Sequence, residues 1–494
     1  MIVIEQILRY IAWLEYPSWV WAIILAYFSI PFVFYWVLPS LHQRRYYQKN
    51  ANDDASNKRH QVLVIVLGDL GHSPRMLYHV KSLVQQKQYK VQLFGYLQST
   101  LPQFIVEGVD NGDIVINEIS NGPESRRGIL GMVTKVVRQH WVLFRLLFAK
   151  SVKNSKFVII QNPPILPILH VVIVWKWLYS PMTKIVIDWH NLNYSILQLK
   201  FGGDNPGKIK SFLVQVMKFY EFQLSKFARY NLTVSANMKD YLINAIYPGA
   251  SSIEKTVISR KFIVLRDRPA DQFKVLDTQE QRITIMSKEF QRIFYDNMAL
   301  QDFDFTKDDK IIVSSTSFTK DEDFNILLDA MKKYDQLMQS QPENYNSKIF
   351  LLVTGKGPEK PQFLSKIASL EFSQNIVIQN HWFTAAEYPK VISLADLAIS
   401  LHLSSSGIDL PMKILDFFGC GIPTISVKFA TIGELVKDGV NGYVLDNNTD
   451  DELCSMICKT LTNEKIYQKI KNGAIEESKH RWDDNWKTVL NDIV

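Results

Sequence analysis

Residues 402–424, HLSSSGIDLPMKILDFFGCGIPT, combine side chains that could bind a phosphate group. The apolar run before them predicts a strand, and the run from Pro411 onward predicts a helix with proline in its first turn. The loop between would place hydroxyl and backbone N–H groups at the positive end of that helix, where anions bind. The residues of this loop that would bind the phosphate group are Ser404, Ser405, Ser406 and Gly407. Lys413 would add a cation beside a diphosphate, and Asp416 would accept hydrogen bonds from vicinal sugar hydroxyls. The alternative interpretation is that this loop is an ordinary strand-to-helix connection that binds no ligand.

Two sets of alternating strands and helices must position this loop. Apolar strands are predicted first at 61–69, 90–96, 156–164, 184–191 and 230–235, and then at 310–318, 348–358, 375–383, 394–407 and 422–429. Strands that are apolar throughout are typical of parallel sheets covered by helices on both faces. We therefore predict an α/β fold with two doubly wound, Rossmann-like domains, whose strands point their carboxyl ends into a shared cleft.

The N-terminus predicts a membrane anchor. Residues 19–38 form an uncharged apolar stretch of about twenty residues, the length that spans a bilayer. Arg44, Arg45 and Lys49 follow it, against Arg9 before it, so the globular part should lie in the cytosol and the short N-terminus in the lumen. A buried apolar helix is the alternative. The predicted divisions are an anchor at 1–45, a linker at 46–59, a domain at 60–265, a linker with an irregular insert at 266–309, a domain at 310–475 and a final helix at 476–494.

Composition narrows the class of function. The net charge of +7 is spread along the chain, which favours a phosphate-bearing ligand or an anionic membrane over nucleic acid. Three cysteines, Cys420, Cys454 and Cys458, cannot build a disulfide framework, and no Cys/His spacing predicts a metal site. We expect Cys454 and Cys458, four residues apart, to be small core residues of one helix.

Several segments resemble the chitobiosyldiphosphodolichol β-mannosyltransferase family. They are GDLGHSPRMLYHV (68–80), QNPP (161–164), VIDWHNLNYSIL (186–197), SSTSFTKDEDF (314–324), VTGKGP (353–358) and the opening motif. The resemblance covers most of the chain and implies a GT-B glycosyltransferase fold. It also implies a protein anchored in the endoplasmic reticulum membrane with its catalytic part in the cytosol. The implied reaction moves mannose from GDP-mannose to the outer GlcNAc of dolichyl-diphosphate chitobiose, in β1,4 linkage. Other mannosyltransferases of that pathway are expected partners, and nucleic acid is not.

The chain is also similar to the wider retaining GT-B families, but it departs from their paired-carboxylate motif. Counting back from Gly-Cys-Gly, Asp416 falls where those families have their second glutamate. Ile408 occupies the position of the first glutamate, and Asp409 follows it. We list Asp409 as a donor-binding candidate, because an inverting enzyme need not keep the retaining geometry.

The implied inversion needs one general base on the acceptor side. Asp69 and His72 lie in the predicted strand-to-helix loop GDLGHSP, where Gly71 would let another molecule approach the backbone. Histidine removes protons near neutral pH, whereas an aspartate would need its pKa raised by burial, so we favour His72 over Asp69. Helix capping is the alternative role. The acceptor-binding candidates after the next strong strand are Asp188, His190, Asn191 and Asn193; Asn162 predicts a turn.

The departing GDP gains negative charge, which cations and N–H groups would stabilise. The further donor-binding candidates are Ser317, Lys320, Gly355, Lys356 and Glu387, the last of which contacts guanosine or caps its helix. Cationic side chains and helix dipoles can replace a metal ion, so no cofactor is obligatory. A loosely held Mg²⁺ ion stays open as an alternative.

Two apolar stretches bear on the lipid substrate. Residues 126–150 mix large apolar residues with Arg and Lys, as a helix in a membrane surface does, and a core helix packed on the sheet is the alternative for them. Residues 165–181 are better explained as a core helix. Two rival functions remain: another transferase acting from a nucleotide sugar such as UDP-GlcNAc to a lipid diphosphate, and a membrane-tethered GT-B scaffold without activity. Fold alone does not separate them.

Overall fold

The computed structural model describes residues 25, 27, 59–120, 129–148, 152, 155–202, 207–276, 278–294, 300, 303–305, 308–345, 347–404 and 406–490. These residues divide into two compact units. The first unit comprises Met1–Asp188 and Tyr220–Tyr230, and the second comprises Trp189–Phe219 and Asn231–Val494. The predicted anchor and most of its linker lie outside the described residues, apart from positions 25 and 27. No helix within the described ranges is both long enough and apolar enough to cross a bilayer.

The first sheet has seven strands. They are β1 His60–Asp69, β2 Tyr89–Tyr96, β3 Ile114–Glu118, β4 Phe157–Asn162, β5 Lys184–Trp189, β6 Tyr230–Thr233 and β7 Phe262–Val264, in the spatial order β3-β2-β1-β4-β5-β6-β7. β1 pairs in parallel with β2 on one side and β4 on the other. Its residues 62–66 have no exposed surface, which explains why this strand is apolar throughout.

Helices join these strands. They are α1 Pro74–Gln85, α2 Gln103–Asp110, α3 Ile129–Leu147, α4 Ile168–Tyr179, α5 Asn193–Lys200, α6 Lys208–Ser225, α7 Ala236–Ile246 and α8 Ser252–Ser259. α1 begins with a proline, whose fixed backbone angle suits a first helical turn. Most of α4 is buried, including Trp175 and Trp177. The prediction of a core helix within 165–181 is therefore confirmed.

The second sheet is parallel throughout. Its strands are β8 Lys310–Thr316, β9 Ile349–Gly355, β10 Ile376–His381, β11 Leu397–Ser400, β12 Thr424–Ser426 and β13 Gly442–Val444, in the order β10-β9-β8-β11-β12-β13. The strand order reverses between β8 and β11, just as it reverses between β1 and β4 in the first sheet. Ligands of open parallel sheets bind at such reversal points, beyond the carboxyl ends of the strands.

The helices of the second half complete its layers. They are α9 Gln279–Ile285, α10 Gln291–Phe294, α11 Phe324–Ser340, α12 Lys360–Ser369, α13 Tyr388–Ile392, α14 Met412–Gly419, α15 Asp450–Thr462, α16 Glu464–Ser478 and α17 Trp482–Leu490. Cys454 and Cys458 lie buried in α15, within the core of the second unit. Their predicted role as small core residues of one helix is confirmed.

The segment predicted as a linker with an irregular insert differs from that expectation. A turn of π-helix, Met286–Phe290, connects α9 to α10. Met286, Phe290 and Phe294 belong to one buried cluster with Ile311 and Phe350 of the sheet. The charged residues of this segment predicted an irregular linker, but the segment is helical and its apolar residues are buried on one side. Part of the predicted linker therefore belongs to the core.

Candidate active site

Asp69 and His72 form a hydrogen-bonded pair at the carboxyl end of β1. His72 Nδ1 lies 2.7 Å from Asp69 Oδ2, and the Gln98 and Ser99 amides donate to Asp69 Oδ1 at 3.0 and 3.2 Å. Ser99 Oγ also donates to the Asp69 carboxylate. Burial acts to raise the pKa of Asp69, but the hydrogen bonds from Ser99, Gln98 and His72 outweigh it and lower the pKa to about 2. Asp69 is therefore an anion and a weak base.

This pairing gives the two residues different roles. A neutral imidazole whose Nδ1–H donates to the Asp69 carboxylate presents Nε2 as its proton acceptor. The His72 side chain is 79% exposed, whereas that of Asp69 is 9% exposed. The geometry thus supports His72 as the base and Asp69 as the group that orients it.

Gly71 makes room for the chain's own backbone. A Cβ at this position would lie 2.8 Å from both Ser99 Cβ and the Thr100 carbonyl oxygen. The Ser99–Thr100 segment therefore approaches Gly71 closely, and contact of Gly71 with the acceptor stays a prediction. This close packing brings Ser99 to Asp69.

Asp188 is a buried structural residue and not an exposed acceptor contact. Arg75 Nε and one of its terminal nitrogens donate to the two carboxylate oxygens at 2.8 Å each, and His79 Nε2 lies 3.2 Å from one of them. The Asp188 and His79 side chains have no exposed surface, and that of Arg75 is 2% exposed. A buried charge requires a partner of opposite sign, and the sequence pattern did not reveal that Arg75 is this partner.

The remaining acceptor candidates follow β5. His190 and Asn193 are partly exposed, and Asn193 begins α5. Asn191 donates from Nδ2 to Asp409 Oδ2 at 3.1 Å, and its Oδ1 accepts from the Leu192 amide at 2.7 Å. Within the second unit, one predicted acceptor-binding residue therefore contacts a predicted donor-binding residue. Asn162, predicted as a turn, is fully buried and donates to Glu221 at 2.9 Å.

A preorganised cation lies where the second strand order reverses. Lys413, in the first turn of α14, donates from Nζ to Ser317 Oγ at 2.9 Å and lies 3.3 Å from Glu322 Oε1. Glu322 is buried and also accepts from the Ser317 amide at 3.0 Å and from the Thr316 hydroxyl. Lys413 is partly exposed and Ser317 exposed. The predicted residues Lys413 and Ser317 are thus brought together, with a carboxylate beneath them.

The serine-rich loop is organised by Asp409. Ser404 and Ser406 donate their hydroxyls to Asp409 Oδ1, the second at 3.3 Å, and the Gly407 amide donates to Ser404 Oγ at 2.8 Å. Burial raises the pKa of Asp409. Two hydroxyls and one amide of the loop are thus bonded within the loop itself, and their binding of a phosphate group stays a prediction. Ser405 lies outside the described residues.

Asp416 lies one turn further along α14. Burial raises the pKa of Asp416 to about 8, although the Tyr388 hydroxyl and the Lys413 ammonium both act to lower it. The Tyr388 hydroxyl is also 2.8 Å from Ser315 Oγ at the end of β8. Asp416 is therefore mostly protonated near neutral pH, and it can donate as well as accept a hydrogen bond.

We expect Asp416→Asn to raise the apparent melting temperature of the ligand-free protein near pH 8, with the gain shrinking toward about pH 4. In the unfolded chain this aspartate loses its proton near pH 3.9, whereas the folded protein holds it to about pH 8. Between these values the unfolded state binds fewer protons, so stability falls as pH rises. Asparagine cannot titrate and avoids this loss. Thermal melting of both proteins across the range measures it, and a pH-independent difference would contradict a protonated Asp416.

The other donor candidates lie around the ends of β8, β9 and β10. Lys356 Nζ lies 4.2 Å from the centre of the Trp382 ring, which is half exposed. A Cβ at Gly355 would lie 2.1 Å from the Thr316 carbonyl oxygen, so only glycine lets the ends of β8 and β9 approach this closely. Lys320 is exposed on the loop after β8.

Glu387 stabilises the turn that precedes α13. Its carboxylate accepts from the Thr384 amide at 3.0 Å and from the Thr384 hydroxyl at 2.8 Å, and Arg292 donates to its other oxygen at 2.5 Å. These bonds, the one from Arg292 foremost, lower the pKa of Glu387 to about 2. Its side chain makes no capping hydrogen bond to α13 itself, and its contact with guanosine stays a prediction.

No group of three or more His, Cys, Asp or Glu side chains within the described ranges is placed to hold a metal ion. The positive charges on the donor side come from Lys413 and Lys356, and both lysines were among the predicted candidates. The metal independence of the reaction stays a prediction.

Four residues of the site were missed from sequence. They are Ser99, Glu322, Trp382 and Tyr388. Glu322 lies in the charged run TKDED, which predicts an exposed loop, yet its carboxylate is buried beneath Lys413. No local signal separates it from its acidic neighbours. Trp382 and Tyr388 lie on either side of the predicted candidate Glu387. The aromatic residues at this exposed strand end were the sequence feature that could have identified them.

Comparison with known proteins agrees with this arrangement. Residues 299–477 match the family model described as glycosyl transferases group 1. A relative from Debaryomyces hansenii, named chitobiosyldiphosphodolichol beta-mannosyltransferase, is 41% identical over 478 residues, which cover 96% of this chain and 94% of the relative. An Arabidopsis thaliana relative named UDP-glycosyltransferase TURAN is 31% identical, over 88% of this chain and 97% of its own.

Solved structures are similar in fold at much lower identity. The crystal structure of Anabaena Alr3699/HepE in complex with UDP has a TM-score of 0.55 and 15% identity, covering 86% of this chain and 96% of that one. With the two parallel sheets, these likenesses show a GT-B glycosyltransferase fold built from two Rossmann-like domains.

Proposed function

Since the chain belongs to the family of chitobiosyldiphosphodolichol β-mannosyltransferases, we propose that it transfers mannose from GDP-mannose to the outer GlcNAc of dolichyl-diphosphate chitobiose. The product is β1,4-linked, so the anomeric configuration inverts in a single displacement. The acceptor 4-hydroxyl forms a bond to C1 of mannose while the bond from C1 to the GDP oxygen breaks. The bonding electrons leave with GDP, and the hydroxyl proton passes to a base.

The hydrogen-bonded pair of Asp69 and His72 carries this mechanism. Asp69 holds Nδ1 of the imidazole at 2.7 Å, which leaves Nε2 of an exposed ring to take the proton of the attacking hydroxyl. Asp69 stays ionised, because its pKa is lowered to about 2, and it stabilises the imidazolium that forms. The first unit thus supplies the base.

The second unit binds the donor. The Lys413 ammonium, held by Ser317 and Glu322, pairs with the diphosphate and stabilises the charge that develops on departing GDP. Lys356, a second lysine at these strand ends, adds positive charge. The protonated Asp416 donates or accepts a hydrogen bond with a sugar hydroxyl. Side-chain cations carry the role that a metal ion has in other transferases, and added Mg²⁺ should leave the rate unchanged.

We further propose that residues 19–38 anchor the protein in the endoplasmic reticulum membrane, with a lumenal N-terminus and cytosolic catalytic domains. Their uncharged apolar composition and the arginines that follow support this orientation. Protease added outside sealed microsomes should then remove the catalytic domains while leaving the short N-terminus protected.

We expect Lys413→Ala to lower kcat/KM for mannose transfer about ten- to a hundredfold, the effect of losing one hydrogen bond between charged groups. The full-length protein in detergent is given GDP-mannose and phytanyl-diphosphate chitobiose, and the product is followed by chromatography. Lys413→Arg keeps the charge and should recover part of the rate. Lys366→Ala is the matched control, since Lys366, in α12, pairs with Asp329 of α11 at 3.1 Å.

The same assay separates the rival functions. UDP-GlcNAc and UDP-glucose replace GDP-mannose in parallel reactions, and faster transfer from either would overturn the mannosyltransferase assignment. A scaffold without activity would show no transfer from any donor. Calorimetric titration with GDP then distinguishes a donor site without turnover from a protein that binds no nucleotide.

A further inference from the structure

A small cavity lies within the second unit, at the amino ends of its strands. Its volume is about 160 Å³, against the ~10–15 Å³ that a single water molecule needs, so a polyatomic ion has room there. The polar residues that line it are Thr278, Gln279, Arg282, Ser393 and Lys471. Among the described residues of the lining, two are cations and none carries a carboxylate.

This cavity is separate from the proposed donor-binding residues. Ala395 and Ile422, which also line it, lie two residues before β11 and β12. Ser404 follows the opposite end of β11, and Ser317 follows the same end of β8. β11 has four residues, so about 13 Å separates the two edges of the sheet. A ligand in the cavity would therefore leave the donor site open.

Lys471, on α16, brings an unpaired cation to the cavity wall. Its Nζ donates to the Tyr467 hydroxyl at 3.3 Å, and among the residues that the structure describes no carboxylate forms an ion pair with it. An ammonium has three N–H donors, so two are left for a ligand. Burial lowers the pKa of Lys471, although Asp396 acts to raise it. The folded protein holds this ammonium at a cost that a bound anion would offset.

Arg282 is the second cation, and its position is fixed from one side. One of its terminal nitrogens donates to both oxygens of Asp396, at 3.1 and 3.3 Å. Asp396 is fixed in turn, because it accepts from the Ile311 amide at 2.9 Å. Within the described ranges, the other nitrogens of the Arg282 guanidinium make no hydrogen bond. They are available to a ligand without any loss of the contact with Asp396.

The charges near Lys471 favour an anion in the cavity. Asp396 and Glu464 act on the lysine as negative charges, and Arg282 and Lys310 act on it as positive ones. With Lys471 itself, three cations thus face two carboxylates. Guanidinium and ammonium groups are the side chains that bind phosphate oxygens best, the first through its planar fork and the second as a point charge.

We propose that this cavity is an anion site that binds a phosphate group, as inorganic phosphate or as a small phosphomonoester. Lys471 and Arg282 donate to the phosphate oxygens. The Thr278 hydroxyl accepts from the Gln281 amide at 3.2 Å and keeps its own proton to donate to the same ion. The site is additional to the proposed donor site and does not depend on the proposed function.

Phosphate binding can be measured with the donor site filled. The full-length protein in detergent is saturated with GDP, and inorganic phosphate is then titrated by calorimetry, with sodium chloride holding the ionic strength constant. We expect saturable binding of one phosphate per chain. A parallel titration with glycerol 3-phosphate distinguishes the two sources, since the tighter ligand shows whether the site prefers the free ion or a monoester. Absence of saturable binding with both ligands would overturn the proposal.

A lysine variant assigns the binding to the cavity. Lys471→Met keeps the apolar stem but removes the ammonium, and should weaken phosphate binding about ten- to a hundredfold. Lys469→Met makes the same change of charge at an exposed position of α16 and should leave the affinity unchanged. Equal affinities of the unmodified and Lys471→Met proteins, or an equal loss in both variants, would overturn the proposal.

An arginine variant keeps the test decisive if Lys471→Met does not fold, which thermal melting reports. Arg282→Lys retains the charge but cannot hold Asp396 and a phosphate through separate nitrogens, so it should also weaken phosphate binding. An unchanged affinity would contradict the proposed site. If the protein binds no GDP, the donor site of the proposed function fails, and the effect of Lys471→Met on phosphate binding still decides the cavity.

Discussion

Replacing His72 by alanine is expected to lower kcat for mannose transfer about a hundred- to ten-thousandfold, the usual contribution of a general base. The Asp69 carboxylate and the Ser99 hydroxyl hold Nδ1 of this imidazole, at 2.7 and 3.1 Å, and no other side chain of that loop offers the same oriented proton acceptor. Steady-state rates with GDP-mannose and phytanyl-diphosphate chitobiose measure the loss. GDP affinity should be unchanged, because the proposed donor-binding residues belong to the second unit and His72 to the first.

Two further variants make this prediction decisive. Asp69→Asn keeps the size of the side chain but removes the anion that orients the ring, so kcat should fall. The remaining rate should be lower than it would be if Asp69 had only a structural role. His60→Ala changes an exposed histidine at the amino end of the same strand and should keep full activity. A His72→Ala protein that retains its rate, beside an inactive Asp69→Asn protein, would make Asp69 the base and contradict the assignment.

Asp188→Asn is expected to destabilise the protein by about 3–5 kcal/mol, because it removes a buried carboxylate charge that binds the Arg75 guanidinium through both oxygens. Both oxygens of Asp188 bind Arg75 at 2.8 Å in surroundings that exclude solvent. The measurement is the free energy of unfolding from urea titration. The acceptor KM of the protein that remains folded should be close to that of the unmodified enzyme.

Replacement of both partners provides the control. The double variant Arg75→Met and Asp188→Leu removes both charges together, so its loss of stability should be much smaller than that of Asp188→Asn alone. If Asp188→Asn were as stable as the unmodified protein and only its acceptor KM rose, Asp188 would be the acceptor contact predicted from its position after a strand.

The long, buried strands could be predicted from sequence, and the short edge strands could not. β1 and β9 are apolar throughout because helices cover both of their faces, and that pattern is visible in the chain. β3, β7 and β13 were missed. β7 and β13 have three residues each, and β3 is partly exposed, so their pairing depends on neighbours distant in sequence.

The candidate site, too, could be predicted from the sequence only in part. Lys413 and Asp416 were predicted because helical spacing and a preceding loop determine where they lie. The partners that set their protonation and orientation, Glu322 and Tyr388, come from other loops, and only the folded sheet brings them there. The serine-rich loop shows the limit most clearly. Its composition predicted hydroxyls available to a phosphate group, but it did not indicate that the nearby Asp409 accepts hydrogen bonds from two of them.

The contact between Lys413 and Glu322 bears on the thermodynamics of donor binding. A free lysine side chain loses up to about 2 kcal/mol of rotamer entropy when it is immobilised on a ligand. Here the ammonium is already held by Ser317 and Glu322, so most of that ordering happens during folding. Calorimetry should accordingly show that donor binding costs little conformational entropy of the Lys413 side chain. In the proposed donor site the diphosphate competes with a resident carboxylate for Lys413, so we expect this competition to favour the release of GDP after transfer.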